Sequence, residues 1–134
     1  MTLANFTQAQ AQARAALIKN VNYQIELDLL DHQATQFGSK TTVEFSAAAG
    51  ASTWIDLIAP AVSSIELNGE AVLATAFNGF RIELTNLKAE NKLVITANCA
   101  YSTTGEGLHR FIDPVDNERY LYSQFETADA RRAY

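Results

Sequence analysis

The chain has 134 residues, of which 48% are hydrophobic and 19% charged, and a formal net charge of −5. That length suits one domain able to bury roughly two thirds of its unfolded surface, and the composition excludes a disordered polypeptide. The acidic balance excludes nucleic acid as a partner: Arg131-Arg132 is the only adjacent basic pair, and no basic stripe meets phosphates.

The opening stretch, MTLANFTQAQAQARAAL, lacks a basic segment followed by an apolar one, so no secretory signal is read there. No apolar run approaches the roughly 18 residues of a membrane span, and the expected compartment is the cytoplasm. Residues 7–19 predict the one helix. Thr7 and Gln10 fit a capping box, and the Ala, Gln, Leu and Arg content suits a helix interior. Ala11, Ala15, Leu17 and Ile18 give it a modest apolar face, so it is expected at the domain's edge.

Residues 21–30 alternate Tyr23, Ile25, Leu27 and Leu29 with Asn22, Gln24, Glu26 and Asp28, the pattern of a strand with one buried and one wet face. Residues 31–39 supply a polar turn containing Gly38. Residues 40–46 then place Thr41, Val43 and Phe45 inward and make an antiparallel partner. TWIDLI, residues 53–58, is more continuously apolar and predicts a strand buried on both faces, ended by Pro60. Asn68-Gly69 between residues 62–67 and 70–75 signals a two-residue type I′ hairpin, and Asn78-Gly79 repeats the signal before residues 80–84. Residues 91–101 put Leu93, Ile95, Ala97, Cys99 and Tyr101 on one side. Eight or nine such strands predict an all-β antiparallel β-sandwich with one short N-terminal helix.

Little in this chain has the spacing of catalysis. His32 and His109 stand far apart, and Cys99 is alone in an apolar strand, where it reads as a small buried hydrophobe; no metal site and no internal disulfide are expected. There is no G-x-S-x-G elbow, and Gly105-x-Gly107 lacks the helix a phosphate loop needs. Asp113-Pro114 and Asp116-Asn117 read as turn formers, and Asp129, Arg131 and Arg132 as local ion-pair partners. The informative stretch is 105–134, where aromatic, acidic, basic and amide side chains crowd together. Residues 120–126 read as a strand, which would project Gln124 and Glu126 together with Phe125 on the other face. A carboxylate beside an amide can receive a substrate ammonium, with Tyr120 and Tyr122 as aromatic walls, although Tyr120 reads as readily as a core residue; on spacing alone the pair reads first as a solvated strand face.

GEGLHRFIDPVDNERYLYSQFETADARRAY resembles the segment that closes the N-terminal β-domain of the aminopeptidase N enzymes, the gluzincin zinc aminopeptidases. Their pattern there is TG-x-GL-H/Y-RF, then DP, Y-x-Y-x-QFE and DARR. The resemblance continues upstream through the RA helix and Ile55-Asp56-Leu57. It implies a saddle-like β-domain, residues 1–134, cut before its catalytic domain, in an enzyme that removes single residues from peptide N-termini. It also implies that Gln124 and Glu126 line the pocket for the substrate's first residue, Glu126 helping to hold the α-ammonium. His109, Tyr or His in the family, is read as packing near the pocket's rim. No G-A-M-E-N stretch or H-E-x-x-H occurs, so zinc is expected in the full-length enzyme and not in this fragment, which should be inactive. The partners implied are peptide substrates and the missing catalytic domain, with self-association of the fragment through surface that domain would cover. The competing expectation is a free-standing β-sandwich module binding peptides or glycans.

Overall fold

In the computed structural model, which describes residues 5–134, Thr7 caps the helix α1 (Gln8–Leu17) as its sequence predicts. Thr7 Oγ1 accepts from the Gln10 N–H at 3.2 Å, and Gln10 Oε1 accepts from the Thr7 N–H at 2.8 Å. The helix ends at Leu17 and not at residue 19, because Ile18 is already extended and feeds the first strand. Part of the opening stretch read above for a targeting signal lies outside the described residues. No helix among them is long and apolar enough to cross a membrane.

The strands in chain order are β1 (Lys19–Asp28), β2 (Gln36–Ser46), β3 (Thr53–Asp56), β4 (Ala61–Leu67), β5 (Glu70–Ala71), β6 (Arg81–Leu84), β7 (Glu90–Ala100), β8 (Gly107–Ile112) and β9 (Arg119–Gln124). Five make one antiparallel sheet in the order β1-β2-β7-β4-β5, while β3–β6 and β8–β9 are two-stranded ladders. Register explains the core. Phe37, Ser39, Thr41 and Val43 stand opposite Cys99, Ala97, Ile95 and Leu93, and Ile65 and Leu67 extend the last two rows from β4. All of these are buried, and Ile82 and Leu84 of β6 join the same cluster.

Four expectations need correction. The strand β2 begins at Gln36, not residue 40, because pairing along the whole of β7 buries Phe37 beside Cys99. β5 is only two residues long, and residues 74–76 form a 3-10 turn. β3 is half-buried rather than covered on both faces, since Trp54 and Asp56 face the helix side. The apolar face of β1 points to the core side yet stays 37–44% exposed at Tyr23, Ile25 and Leu27, because β1 is the outermost strand and little among the described residues lies over it.

The two Asn-Gly turns differ. Asn68 and Gly69 both take positive φ, 55° and 84°, as a type I′ hairpin requires. Asn78 instead accepts from the Phe80 and Arg81 N–H groups through Oδ1, at 3.2 and 2.9 Å. A polar network also sits in the core. Buried Asn91 exchanges hydrogen bonds with the Lys88 backbone at 2.7 and 2.9 Å and accepts from Asn68 Nδ2 at 3.0 Å, satisfying a side chain that would otherwise be costly to bury.

Candidate functional site

Pairing between β8 and β9 sets Phe111 opposite Tyr120, His109 opposite Tyr122 and Gly107 opposite Gln124. Side chains directly opposite on an antiparallel pair share a face. The result is an aromatic ladder: Phe111 stacks on Tyr120 at 5.5 Å and His109 on Tyr122 at 4.5 Å, leading toward Gln124. Tyr120 is exposed and not in the core. At the hairpin tip Asp113 and Asp116 accept from the Val115 and Glu118 N–H groups, both at 2.8 Å, as turn formers. Asp116 also accepts from the Tyr120 hydroxyl at 2.5 Å, which holds the carboxyl below its ordinary range and the phenol above its own.

The base of the hairpin is wired to the end of the chain. Gly107 takes φ 71°, and a Cβ there would meet Arg132 Cβ at 2.8 Å. Arg132 in turn pairs with Asp129 at 3.0 Å and Glu106 at 3.1 Å. His109 Nδ1 accepts from the Gly105 N–H at 2.9 Å, and Ser102 Oγ accepts from the Thr104 and Glu106 N–H groups.

Gln124 and Glu126 are both exposed at the end of this hairpin. The strand expected to run through residue 126 stops at Gln124. Phe125 leaves the ladder to pack against Tyr134, with ring centroids 5.9 Å apart, and its carbonyl accepts from the Asp129 N–H at 3.0 Å. Gln124 and Glu126 are therefore linked by a local bond and not by strand alternation: Gln124 Oε1 accepts from the Glu126 N–H at 3.0 Å. None of the ion pairs among the described residues includes Glu126.

A second constellation escaped the sequence reading. The Arg14 guanidinium lies 4.5 Å from the Phe6 ring centroid and 4.9 Å from that of Trp54, and Arg81 lies 4.6 Å from the Trp54 centroid. Asp56 pairs with both, at 3.5 and 3.3 Å. The available signal was Asp56 itself, the one charge in an otherwise uncharged TWIDLI stretch. The group borders an apolar cavity of about 470 Å³ between α1, β3 and the first two strands.

No family model matches the chain. Aminopeptidase N of Streptomyces lividans is 47% identical to it over 134 residues, a span covering 97% of this chain. The chain belongs to the aminopeptidase N family. It spans 16% of that relative's length. Two solved structures share the fold at low identity. A mutant M1 zinc metallopeptidase from Deinococcus radiodurans superposes with a TM-score of 0.65 at 18% identity, over 88% of this chain and 28% of its own. Legionella pneumophila aminopeptidase A in complex with aspartic acid gives 0.63 at 13% identity, over 88% and 15% respectively.

No group of three or more His, Cys, Asp or Glu among the described residues comes together to hold a metal ion. His109 Nδ1 accepts from a backbone donor, the His32 carbonyl accepts from Arg110 Nη2 at 3.1 Å, and Cys99 is fully buried.

Proposed function

We propose that the chain is the N-terminal β-domain of a zinc-dependent aminopeptidase that removes single residues from peptide N-termini, and that Glu126 and Gln124 anchor the substrate's α-ammonium. The observation that carries this reading is the pair of exposed side chains, Gln124 and Glu126, at the end of the β8–β9 hairpin in a sequence 47% identical to an aminopeptidase N. Glu126 offers acceptor oxygens, and Gln124 braces the turn that presents them, leaving its own amide N–H groups for substrate. The ladder of Tyr122, His109, Phe111 and Tyr120 supplies an aromatic approach to that anchor.

Such an anchor is remote from the bond that breaks. It fixes the substrate's register so that the first peptide bond meets the reacting centre, and positioning of this kind raises rate without taking part in chemistry. The zinc and its ligands belong to the rest of the polypeptide, so the isolated domain is inactive. In the full-length enzyme, Glu126→Ala is expected to lower kcat/KM for unblocked peptides by about 2–4 kcal/mol, the usual cost of removing one partner from a desolvated charge pair. Steady-state assays with free and N-acetylated peptides read this directly. An unchanged kcat/KM for the free peptide removes Glu126 from the pocket.

A further inference from the structure

The residues proposed as the ammonium anchor sit where the chain leaves its last strand and loses the support of a regular ladder. Gln124 is the final residue of β9, and Glu126 lies outside it. This departure is held from two sides. On one, β9 pairs with β8, and Gly107 stands opposite Gln124. On the other, the carbonyl of Phe125, between the two anchor residues, accepts from the Asp129 N–H at 3.0 Å.

Arg132 joins the two sides. Its stem lies so close to Gly107 that a Cβ there would meet Arg132 Cβ at 2.8 Å and Cδ at 3.2 Å. Its guanidinium then reaches both supports: Nε stands 3.0 Å from Asp129 Oδ1, and Nη2 stands 3.1 Å from Oε2 of Glu106, the residue before Gly107. The 3-10 turn that carries it, Asp129–Arg132, is itself fixed to the core. The Arg131 carbonyl accepts from the Ile58 N–H at 2.7 Å, and Ala133, next in the chain, is fully buried. A continuous path therefore runs from the core through Arg132 to Gln124 by way of Gly107, and to Phe125 by way of Asp129.

Stability does not explain this arrangement. The Arg132, Asp129 and Glu106 side chains are 34%, 20% and 51% exposed, and ion pairs so open to water add little to folding. What they fix is geometry: a planar guanidinium with its donors in a rigid fork holds two carboxylates at a set separation, which a flexible ammonium would not. We infer that Arg132 is a positioning residue for the reaction, holding the Gln124–Glu126 turn where it receives the substrate's α-ammonium. It acts through Gly107 and Asp129 and touches no substrate. The inference rests on the reading of Gln124 and Glu126 as that anchor.

The test uses the full-length enzyme and an unblocked peptide, with Arg132→Ala, Glu126→Ala and the double variant. Arg132→Ala is expected to lower kcat about five- to tenfold and to change KM less than about twofold, because substrate still binds but reaches the reacting geometry less often. In the Glu126→Ala background the same change should cost less than about twofold more, since no anchor is left to misplace. Glu106→Ala, which leaves the packing on Gly107 intact, should also lower kcat. Glu106→Gln, which keeps an acceptor for Nη2, should stay within about twofold of the natural enzyme. An unchanged kcat in Arg132→Ala overturns the proposal. So does an equal loss in both backgrounds, which would make Arg132 a general support of the fold, or a Glu106→Gln variant as slow as Glu106→Ala. The two failures separate: a damaging Glu126→Ala beside a silent Arg132→Ala refutes the clamp and leaves the anchor intact, whereas a silent Glu126→Ala removes the anchor and the clamp with it.

Discussion

Cys99 and Gly107 show how much one position owes to what surrounds it. The sequence places Cys99 in an alternating strand as a small hydrophobe, and burial pushes its thiol up from 9.0 to about 11. The folded state therefore binds this proton more tightly than the unfolded chain does. The stability that follows is fully present below pH 9.0 and lost as pH rises through about 11. Urea titrations across that window should show a steeper loss for the natural chain than for Cys99→Ala, and parallel curves would contradict the assignment. Gly107 combines φ 71° with a 2.8 Å approach to Arg132 Cβ. Gly107→Ala should cost about 1–3 kcal/mol. Adding Arg132→Ala should restore part of the loss, because it removes the clash but not the backbone strain; denaturation midpoints of the single and double variants measure the split.

Elements read well where pattern and local chemistry agree, and poorly where neighbours set their length. The Asn68-Gly69 hairpin and the Thr7–Gln10 capping box are local devices, satisfied by atoms within a few residues, and both stand as expected. Asn68 does more than turn the chain: its Oδ1 accepts from the Lys92 N–H at 2.9 Å and its Nδ2 donates to buried Asn91. Asn68→Ala should then cost about 1–2 kcal/mol, seen as a lower Tm, and Asn68→Gly should recover only the conformational part. The strand expected over residues 120–126 stops short for the opposite reason. Composition favoured its continuation, but packing of Phe125 against Tyr134 draws the chain out of the ladder after Gln124.

At the scale of the whole molecule, exposed apolar surface is the dominant feature. Val21, Tyr23, Ile25 and Leu27 on β1 and Phe111, Ile112, Tyr120, Leu121 and Tyr122 on the hairpin are all well exposed. Contiguous surface of this kind marks an interface, and in isolation it drives association. The chain alone is expected to sediment with a concentration-dependent mass and to bind a hydrophobic dye. A strictly monomeric, dye-silent protein would count against the reading that further domains cover these faces. Asp56 holding Arg14 of α1 and Arg81 of β6 together over Trp54 shows the same dependence on assembly. Three residues from distant parts of the chain make a unit that no window of sequence contains.

The sequence by itself determined the all-β class, the capped helix, the hairpin turn, the inward rows of β2 and β7, and the motif by which the chain resembles its family. Each depends on periodicity or on hydrogen bonds closed within a few residues. Only the tertiary structure decided where β2 begins, that β1 keeps a half-open apolar face, that Arg14 stacks on Trp54, and that Gln124 braces Glu126 from the last position of its strand. Those outcomes turn on which surfaces meet across the fold, and burial is a property of the neighbour as much as of the residue.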